Sequence, residues 1–174
     1  MNFYTQRFNL YLLVLLAGLM AFTGCKTGKS GKHLATFRMH MENRAQVPGT
    51  GKTVSVLRSM PVLVTINDDP FLTERNVVAA RVLNTIAGCA IEVKFDETGT
   101  WILEQYTSAN TGRHFAIFSQ WGESAEDARW LAAPLISHRI SNGVFSFTPD
   151  ASPEEVKKIV DGLNEVAKQI AKGK

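Results

Sequence analysis

The chain has 174 residues, of which 45% are hydrophobic and 9% are aromatic. This composition is typical of a globular domain and excludes a disordered chain, and the length suits one domain. The formal net charge of +3 is too small to indicate a nucleic-acid-binding protein. We therefore expect a single folded domain that does not bind nucleic acid.

The first residues have the pattern of an export signal. Arg7 precedes an uncharged apolar run at residues 10–22, which is shorter than the roughly 20 residues that a membrane-spanning helix needs. The run ends in AFTGCK, and these small residues before Cys25 resemble a bacterial lipoprotein signal, although Phe22 stands where Leu is usual. The resemblance implies that residues 1–24 are removed and that Cys25 carries an acyl chain such as palmitate.

Lipidation of Cys25 implies a cell-envelope protein that is anchored to a membrane and exposed outside the cytoplasm. The alternative is an uncleaved anchor with an incidental cysteine, which would also attach the domain to a membrane. Residues 25–33, CKTGKSGKH, contain three lysines among Gly and Ser and predict a flexible basic tether before the domain at residues 34–174. With Cys25 modified, Cys89 has no disulfide partner, and we expect it to be a small buried hydrophobic residue.

The first half of the domain has the patterns of strands. ATFRMHME alternates apolar and polar residues, which predicts a half-buried strand with His40 facing solvent. VSVL and PVLVTI predict a pair of strands, or one strand bent at Pro61. The following stretch is ambiguous between helix and strand, and we assign a helical turn at residues 72–76 and a strand at residues 78–83. AIEVKFD alternates again and predicts a strand with one apolar face.

A helix is predicted from about Thr98, with its end at residues 110–112. We expect its apolar face to contain Trp101, Ile102, Tyr106 and Ala109. HFAIFS is apolar on both faces, which is typical of a strand in the middle of a sheet. QWGESAEDARWLAAP predicts an exposed excursion with a short helix. LISHRISNGVFSFT predicts a strand, a turn at Asn142 and Gly143, and a second strand.

The C-terminal helix has the clearest pattern in the chain. Ser152 is predicted as its N-cap, Pro153 as its first residue and Glu155 as the partner in a capping box. Apolar residues then recur at spacings of three and four, which gives one apolar face. Together the elements predict an α+β fold with a mixed, mainly antiparallel sheet and two main helices packed on one face.

Two short motifs resemble catalytic or nucleotide-binding patterns but fail in detail. GTGKT, at residues 49–53, resembles part of a phosphate-binding loop, but Gln46 replaces the first glycine and the stretch connects two strands. FDETG resembles the Asp-Thr-Gly of aspartic proteases, but Glu97 separates Asp96 from Thr98 and no second copy exists to share the proton. A turn with a helix N-cap explains FDETG better.

The histidines His33, His40, His114 and His138 show no metal-ligand spacing, and no cysteine cluster accompanies them. Neither G-x-S-x-G nor S-x-x-K occurs. We therefore expect no enzyme activity, no cofactor and no bound metal. A hydrolase that uses His114, His138 and a carboxylate is the less favoured alternative.

Three blocks of sequence, taken in order, resemble one known domain. They are NVVAARV, AIEVKFDETGTWILEQYTSANTGRHFAIF and AAPLISHRISNGVFSFTPDASPEEVKKIVDGLN. The series resembles the periplasmic P1 head region of SecD, a membrane protein of the bacterial export machinery, and covers about Val54 to Lys172. The residues that carry the resemblance in the second and third blocks are Gly99, Thr107, Asn110, Gly112, Arg113, Ala116, Ile117, Ala133, Pro134, Ile136, Ile140, Gly143, Phe145 and Phe147.

This resemblance implies an α+β domain that projects from a membrane and contacts translocating polypeptide without catalysing a covalent change. The sequence departs from the family where Trp121-Gly122 and the added ESAEDARW replace an Asp-Gly turn. It also lacks the transmembrane helices through which SecD couples to the channel and to ion flow. We therefore expect no proton-driven motor activity from this chain alone.

Two non-enzymatic functions compete. In the first, the lipid-anchored domain binds unfolded or translocating polypeptide at an exposed sheet edge or groove, as an accessory to export. Trp121 and Trp130 are candidate contacts, because exposed aromatic residues often anchor interfaces, and the alternative is that both rings fold back onto the domain. In the second, the protein is a structural or assembly component that docks to another envelope protein.

Overall fold

The computed structural model describes residues 34–44, 51–86 and 88–173. The predicted signal at 1–24, the tether at 25–33 and the lipidation site Cys25 lie outside the described residues. The strands are β1 (Arg38–Met41), β2 (Lys52–Val56), β3 (Val62–Ile66), β4 (Leu72–Thr73), β5 (Val77–Thr85), β6 (Gly88–Phe95), β7 (Phe115–Gln120), β8 (Ala128–Ala132) and β9 (Val144–Phe147). The helices are α1 (Glu97–Ala109) and α2 (Pro153–Lys172), with short 3-10 helices at Glu74–Asn76 and Ala125–Asp127.

The strands of the described residues form three sheets in which every pairing is antiparallel. Their orders are β4-β1-β7-β8, β2-β3 and β5-β6-β9. The predicted α+β class with two main helices is confirmed, whereas the strands are divided among three sheets instead of lying in one. Alternation in a sequence shows which residues share a face, but it does not show which strands pair.

The C-terminal helix forms as its sequence predicts. Ser152 Oγ accepts from the Glu155 amide and the Glu155 side chain accepts from the Ser152 amide, which completes the capping box. Pro153 is the first helical residue. The helix packs on β5 and β6 through residues that are all buried: Val156, Ile159, Val160 and Leu163. Each such side chain contributes about 1.5–3 kcal/mol of hydrophobic stabilisation, so this face fixes α2 on the three-stranded sheet.

Asn164 of α2 also closes part of the outer edge of β5. The Ala80 amide donates to Asn164 Oδ1 at 2.9 Å, and Asn164 Nδ2 donates to the Ala80 carbonyl at 2.9 Å. The side-chain amide therefore takes the place of a neighbouring strand at this residue. Capping of this kind protects an edge strand from pairing with another chain.

The sheet that contains β1 is covered on both faces. Met39, Phe115 and Ile117 belong to the main core on one face. On the other face, Ala116 joins a second apolar cluster with the β2–β3 hairpin, against which Trp130 packs. This double coverage explains why the centre of the sheet has apolar residues on both sides, as HFAIFS predicted.

The prediction that His40 faces solvent is wrong. His40 is 6% exposed, its Nδ1 lies 2.9 Å from the Asn67 carbonyl oxygen, and its ring meets Trp130 edge-on at 5.2 Å. The alternation of ATFRMHME was interpreted correctly, but the face opposite the core is covered by the hairpin and Trp130. Burial lowers the pKa of His40 below its ordinary value of 6.5, and the hydrogen bond to Asn67 only partly offsets this effect.

We predict that the domain loses stability in mildly acidic solution because of His40. Its pKa is lower in the folded chain than in the unfolded chain, so the unfolded chain binds the proton first as the pH falls through about 6.5. The free energy of unfolding should therefore decrease below that pH, as urea titrations at several pH values will measure. His40→Gln should flatten this dependence, whereas the same change at exposed His138 should leave it intact. If the free energy of unfolding changes equally with pH in the wild type and in His40→Gln, His40 is not the cause of the acid sensitivity.

Candidate functional site

A groove of 380 Å³ lies between β9 and the irregular segment at residues 134–142. Phe115, residues 134–142 and residues 144–146 line it, and we call it the β9 groove. Its buried apolar residues are Phe115, Ile136 and Phe145, whereas Leu135 is 56% exposed and His138 and Arg139 are also exposed. The volume lies within the range of about 300–1,000 Å³ that is common for ligand sites.

The segment at 134–142 forms one wall of the β9 groove because its backbone bonds to residues other than β9. The Gly112 amide donates to the Ile136 carbonyl at 2.9 Å, and the Ile136 amide donates to the Arg113 carbonyl at 2.8 Å. These bonds form an isolated antiparallel β-bridge between His114 and Leu135 and no regular strand. The strand predicted for LISHRIS is therefore wrong. Pro134 has no amide hydrogen to donate, which limits regular pairing at this position.

Side chains of helix α1 bind the segment at residues 134–142. Thr107 is fully buried, and its Oγ1 donates to the Leu103 carbonyl at 2.8 Å and accepts from the Ile140 amide at 2.9 Å. The Arg139 guanidinium forms an ion pair with the Glu104 carboxylate. The α1 side chains therefore hold the outer wall of the β9 groove in place.

Gly143 closes the far end of this wall and allows α1 to approach closely. Its φ of +67° lies in the left-handed region, and a Cβ at this position would lie 2.1 Å from Thr100 Oγ1. The turn predicted at Asn142 and Gly143, and the strand after it, are confirmed. A larger residue at position 143 would strain the turn and displace the Thr100 side chain of α1.

The face of α1 that meets the core differs from the prediction. Asp96 caps the helix by accepting from the Gly99 amide at 2.7 Å, as the interpretation of FDETG required. The helix buries Gly99, Leu103 and Thr107 instead of Trp101 and Ala109, and Trp101 is 62% exposed. Small Gly and Thr residues carry little hydrophobic signal, so the pattern pointed to the neighbouring apolar stripe.

The candidate catalytic histidines lie in different grooves. His138 lines the β9 groove, where its Nδ1 lies 2.9 Å from Ser137 Oγ. His114 lines a second groove of 430 Å³ beside the β2–β3 hairpin, where its Nδ1 lies 3.1 Å from Glu42 Oε2. Burial opposes ionisation of Glu42, but hydrogen bonds from Arg44 and His114 outweigh it and lower the pKa of this carboxyl. Within the described residues, no group of three metal-binding side chains is found.

The two tryptophans of the added loop act as packing residues. Trp121 is 1% exposed, the Arg129 guanidinium lies 4.8 Å from the centre of its ring, and its Nε1 has no hydrogen-bond partner among the described residues. Trp130 is half-buried and packs edge-on against His40 and Phe118. Trp121 therefore offers no surface to a partner in this structure, and contact through the exposed part of Trp130 stays a prediction.

Comparison with known proteins identifies the domain. The sequence profile of the SecDF P1 head subdomain matches residues 52–166. The chain belongs to this family. The resemblance that the sequence blocks indicated is thereby confirmed, and the whole β9 groove lies within the matched residues of the P1 head.

Solved structures with the same fold are also SecDF proteins. A SecDF structure described as a membrane component that enhances protein export has a TM-score of 0.54 and 20% sequence identity, over 76% of this chain and 63% of that one. SecDF in a super-membrane-facing form has a TM-score of 0.57 and 18% identity, over 76% of this chain and 19% of that one. This P1 head protein thus spans less than two thirds of either chain. No protein with a curated function matches it.

Among residues 34–44, 51–86 and 88–173, no helix of the P1 head protein is long and apolar enough to cross a membrane. Sequence reasoning identified the block that contains the β9 groove but not the groove itself. The Asn-Gly turn predicted a second strand on its N-terminal side, so no local signal located the groove.

We predict that Thr107→Val loosens the outer wall of the β9 groove. Valine has nearly the same shape but leaves the Ile140 amide without its acceptor, which should lower the free energy of unfolding by about 1–3 kcal/mol. Amide hydrogen exchange at Ile140 should accelerate in this variant. Thr107→Ser retains the hydroxyl and should keep the exchange of Ile140 slow. Equal protection of Ile140 in Thr107→Val and the wild type would contradict the proposed support.

Proposed function

We propose that this protein is a lipid-anchored, non-enzymatic accessory to protein export whose P1 head binds unfolded or translocating polypeptide. The observation that carries the proposal is the β9 groove, which combines a buried apolar floor with an exposed rim inside the region that matches the family. A SecDF structure described as enhancing protein export supports the assignment to export. Such a groove suits a segment that has not yet buried its own apolar side chains.

The proposed anchor places this groove near a membrane. Acylated Cys25 would hold the chain on the bilayer, and the tether of residues 25–33 extends at most about 3.5 Å per residue, or roughly 30 Å. The head would therefore stay close to the membrane that holds the lipid. The lysines of the tether add weak attraction to anionic headgroups, about 1 kcal/mol each near the surface.

The non-enzymatic part of the proposal rests on how the histidines are used. In a catalytic serine site, a carboxylate accepts from Nδ1 of the histidine. In this protein, the hydroxyl of Ser137 contacts Nδ1 of His138 instead. Glu42, which contacts His114, also binds Arg44 and the His114 amide. Both arrangements favour structural roles over proton transfer.

A second function, docking to another envelope protein, is favoured by the β2–β3 hairpin. Its connecting loop and β3 expose a run of large apolar side chains, of which Met60 is 79% exposed. The others are Leu57, Val62 and Leu63. Exposed apolar patches of this kind often mark protein interfaces.

Photocrosslinking in living bacteria tests the two functions against each other. A photoreactive residue at Leu135 or Ser141, on the β9 groove, should give adducts with many secreted chains during export. The same residue at exposed Lys158 of α2 should give few, and serves as the matched control. One discrete adduct from Leu63 without secreted chains from the groove would instead favour docking. Absence of secreted chains from every groove position would refute polypeptide binding.

We predict that lipidation depends on Cys25. Cells grown with labelled palmitate should label the wild type and Cys89→Ser equally, because Cys89 lies within the folded domain. Cys25→Ser should reduce the label to background and release the protein from membranes on fractionation. Labelling of Cys25→Ser at the level of the wild type would show that the anchor lies elsewhere.

A further inference from the structure

One edge of the three-stranded sheet has backbone groups that bond to no other residue in the described part of the chain. Phe95 donates its amide to the Gly143 carbonyl at 2.9 Å, and the register places Val93 opposite Phe145 and Glu92 opposite Ser146. Hydrogen-bonded pairs alternate along an antiparallel ladder. The backbone amide and carbonyl groups of Phe145 and Phe147 therefore bond to β6. The same groups of Val144 and Ser146 point away from β6.

The opposite side of the same sheet confirms this alternation. Arg81 lies opposite Glu92 and Ala80 opposite Val93, so the Ala80 groups should point away from β6. The hydrogen bonds agree with this expectation. Asn164 of α2 binds both the amide and the carbonyl of Ala80. The sheet thus has one edge capped at Ala80 and another edge at β9.

The β9 edge has a cap at the Val144 amide. Asn142 Oδ1 accepts from the Val144 amide at 3.1 Å. Within the described ranges 34–44, 51–86 and 88–173, no residue hydrogen-bonds to the Val144 carbonyl or to the amide and carbonyl of Ser146. Ser146 is exposed, and both residues line the β9 groove. The free edge therefore faces a groove instead of a packed neighbour.

The order of hydrogen-bond donors and acceptors on this edge indicates what kind of ligand can bind there. An acceptor at Val144, followed by a donor and an acceptor at Ser146, is the pattern that another extended backbone complements. The side chains of an added strand would alternate, so that every second one would lie over the buried Phe115, Ile136 and Phe145. The lining contains no carboxylate, and its Arg139 is already paired with Glu104 of α1, so the apolar floor and not charge selects the segment.

We propose that an unfolded polypeptide binds the β9 groove as an added β-strand, paired to the backbone of Val144 and Ser146, with alternate apolar side chains over the groove floor. This inference rests on the proposed function and adds to it the mode of binding and the class of segment. Backbone pairing accepts many sequences, while the apolar floor selects segments with alternate apolar side chains over segments that are charged at those positions.

Ser146→Pro tests the pairing without disturbing β6. The Ser146 amide points outward, so proline removes the donor from the edge and retains the bonds between β6 and β9. Ser146→Ala keeps the amide and is the matched control. An alternating apolar and polar peptide of eight residues, titrated onto the full chain, should bind Ser146→Ala as it binds the wild type. Binding to Ser146→Pro should weaken on the order of tenfold.

A change in the peptide gives a second test that needs no variant. N-methylation of every second peptide amide, in the phase that faces β9, should weaken binding on the order of tenfold, whereas methylation in the other phase should not. In NMR titrations, the Ser146 amide of the wild type should shift downfield as it gains an acceptor. A peptide with lysines in place of the apolar residues should bind more weakly.

Three outcomes would overturn the inference. If peptides bind but Ser146→Pro and both N-methylated phases bind equally well, polypeptide binding stands and strand addition fails. If sedimentation shows that β9 pairs with a second copy of the domain, which Ser146→Pro then dissociates, the edge is a dimer interface. If no peptide binds and the β9 groove gives no crosslinks to secreted chains, both this inference and the proposed function fail.

Discussion

Strand β6 is the constraint on which the arrangement of the P1 head depends. It pairs with β5 on one side and with β9 on the other, and its Ile91, Val93 and Phe95 lie in the core. A slip of one residue would turn this apolar face to solvent, so the register is strongly fixed. The same register decides that Ala80 points to Asn164 and that Ser146 points into the β9 groove.

The β9 groove exists because neighbouring elements use their hydrogen bonds elsewhere. The segment at 134–142 bonds to residues 112–115 and to Thr107 of α1, so it stands beside β9 without pairing with it. Gly143 permits the close approach of α1 that holds this wall. Moving this segment onto the outer edge of β9 would break those hydrogen bonds, so the groove stays open beside the unpaired groups of Val144 and Ser146.

Sequence reasoning succeeded where local chemistry is sufficient and failed where a distant element decides. The capping box of α2, the Asp96 cap of α1 and the Asn-Gly turn follow from side chains within a few residues of each other. His40 was placed in solvent because nothing near it in the sequence reveals the hairpin that covers it. The α1 face was misplaced because Gly99 and Thr107 pack closely without a hydrophobic signal.

By itself, the sequence determined the α+β class, most strands and both helices, and the ordered blocks that place the chain in the P1 head family. Those features depend on periodicity and on caps, which act over one or two turns of chain. Only the tertiary structure decided which strands pair, which edge is capped by Asn164, and that Val144 and Ser146 face a groove. Strand pairing depends on contacts between residues far apart in the chain, and a single sequence does not encode those partners in any local pattern.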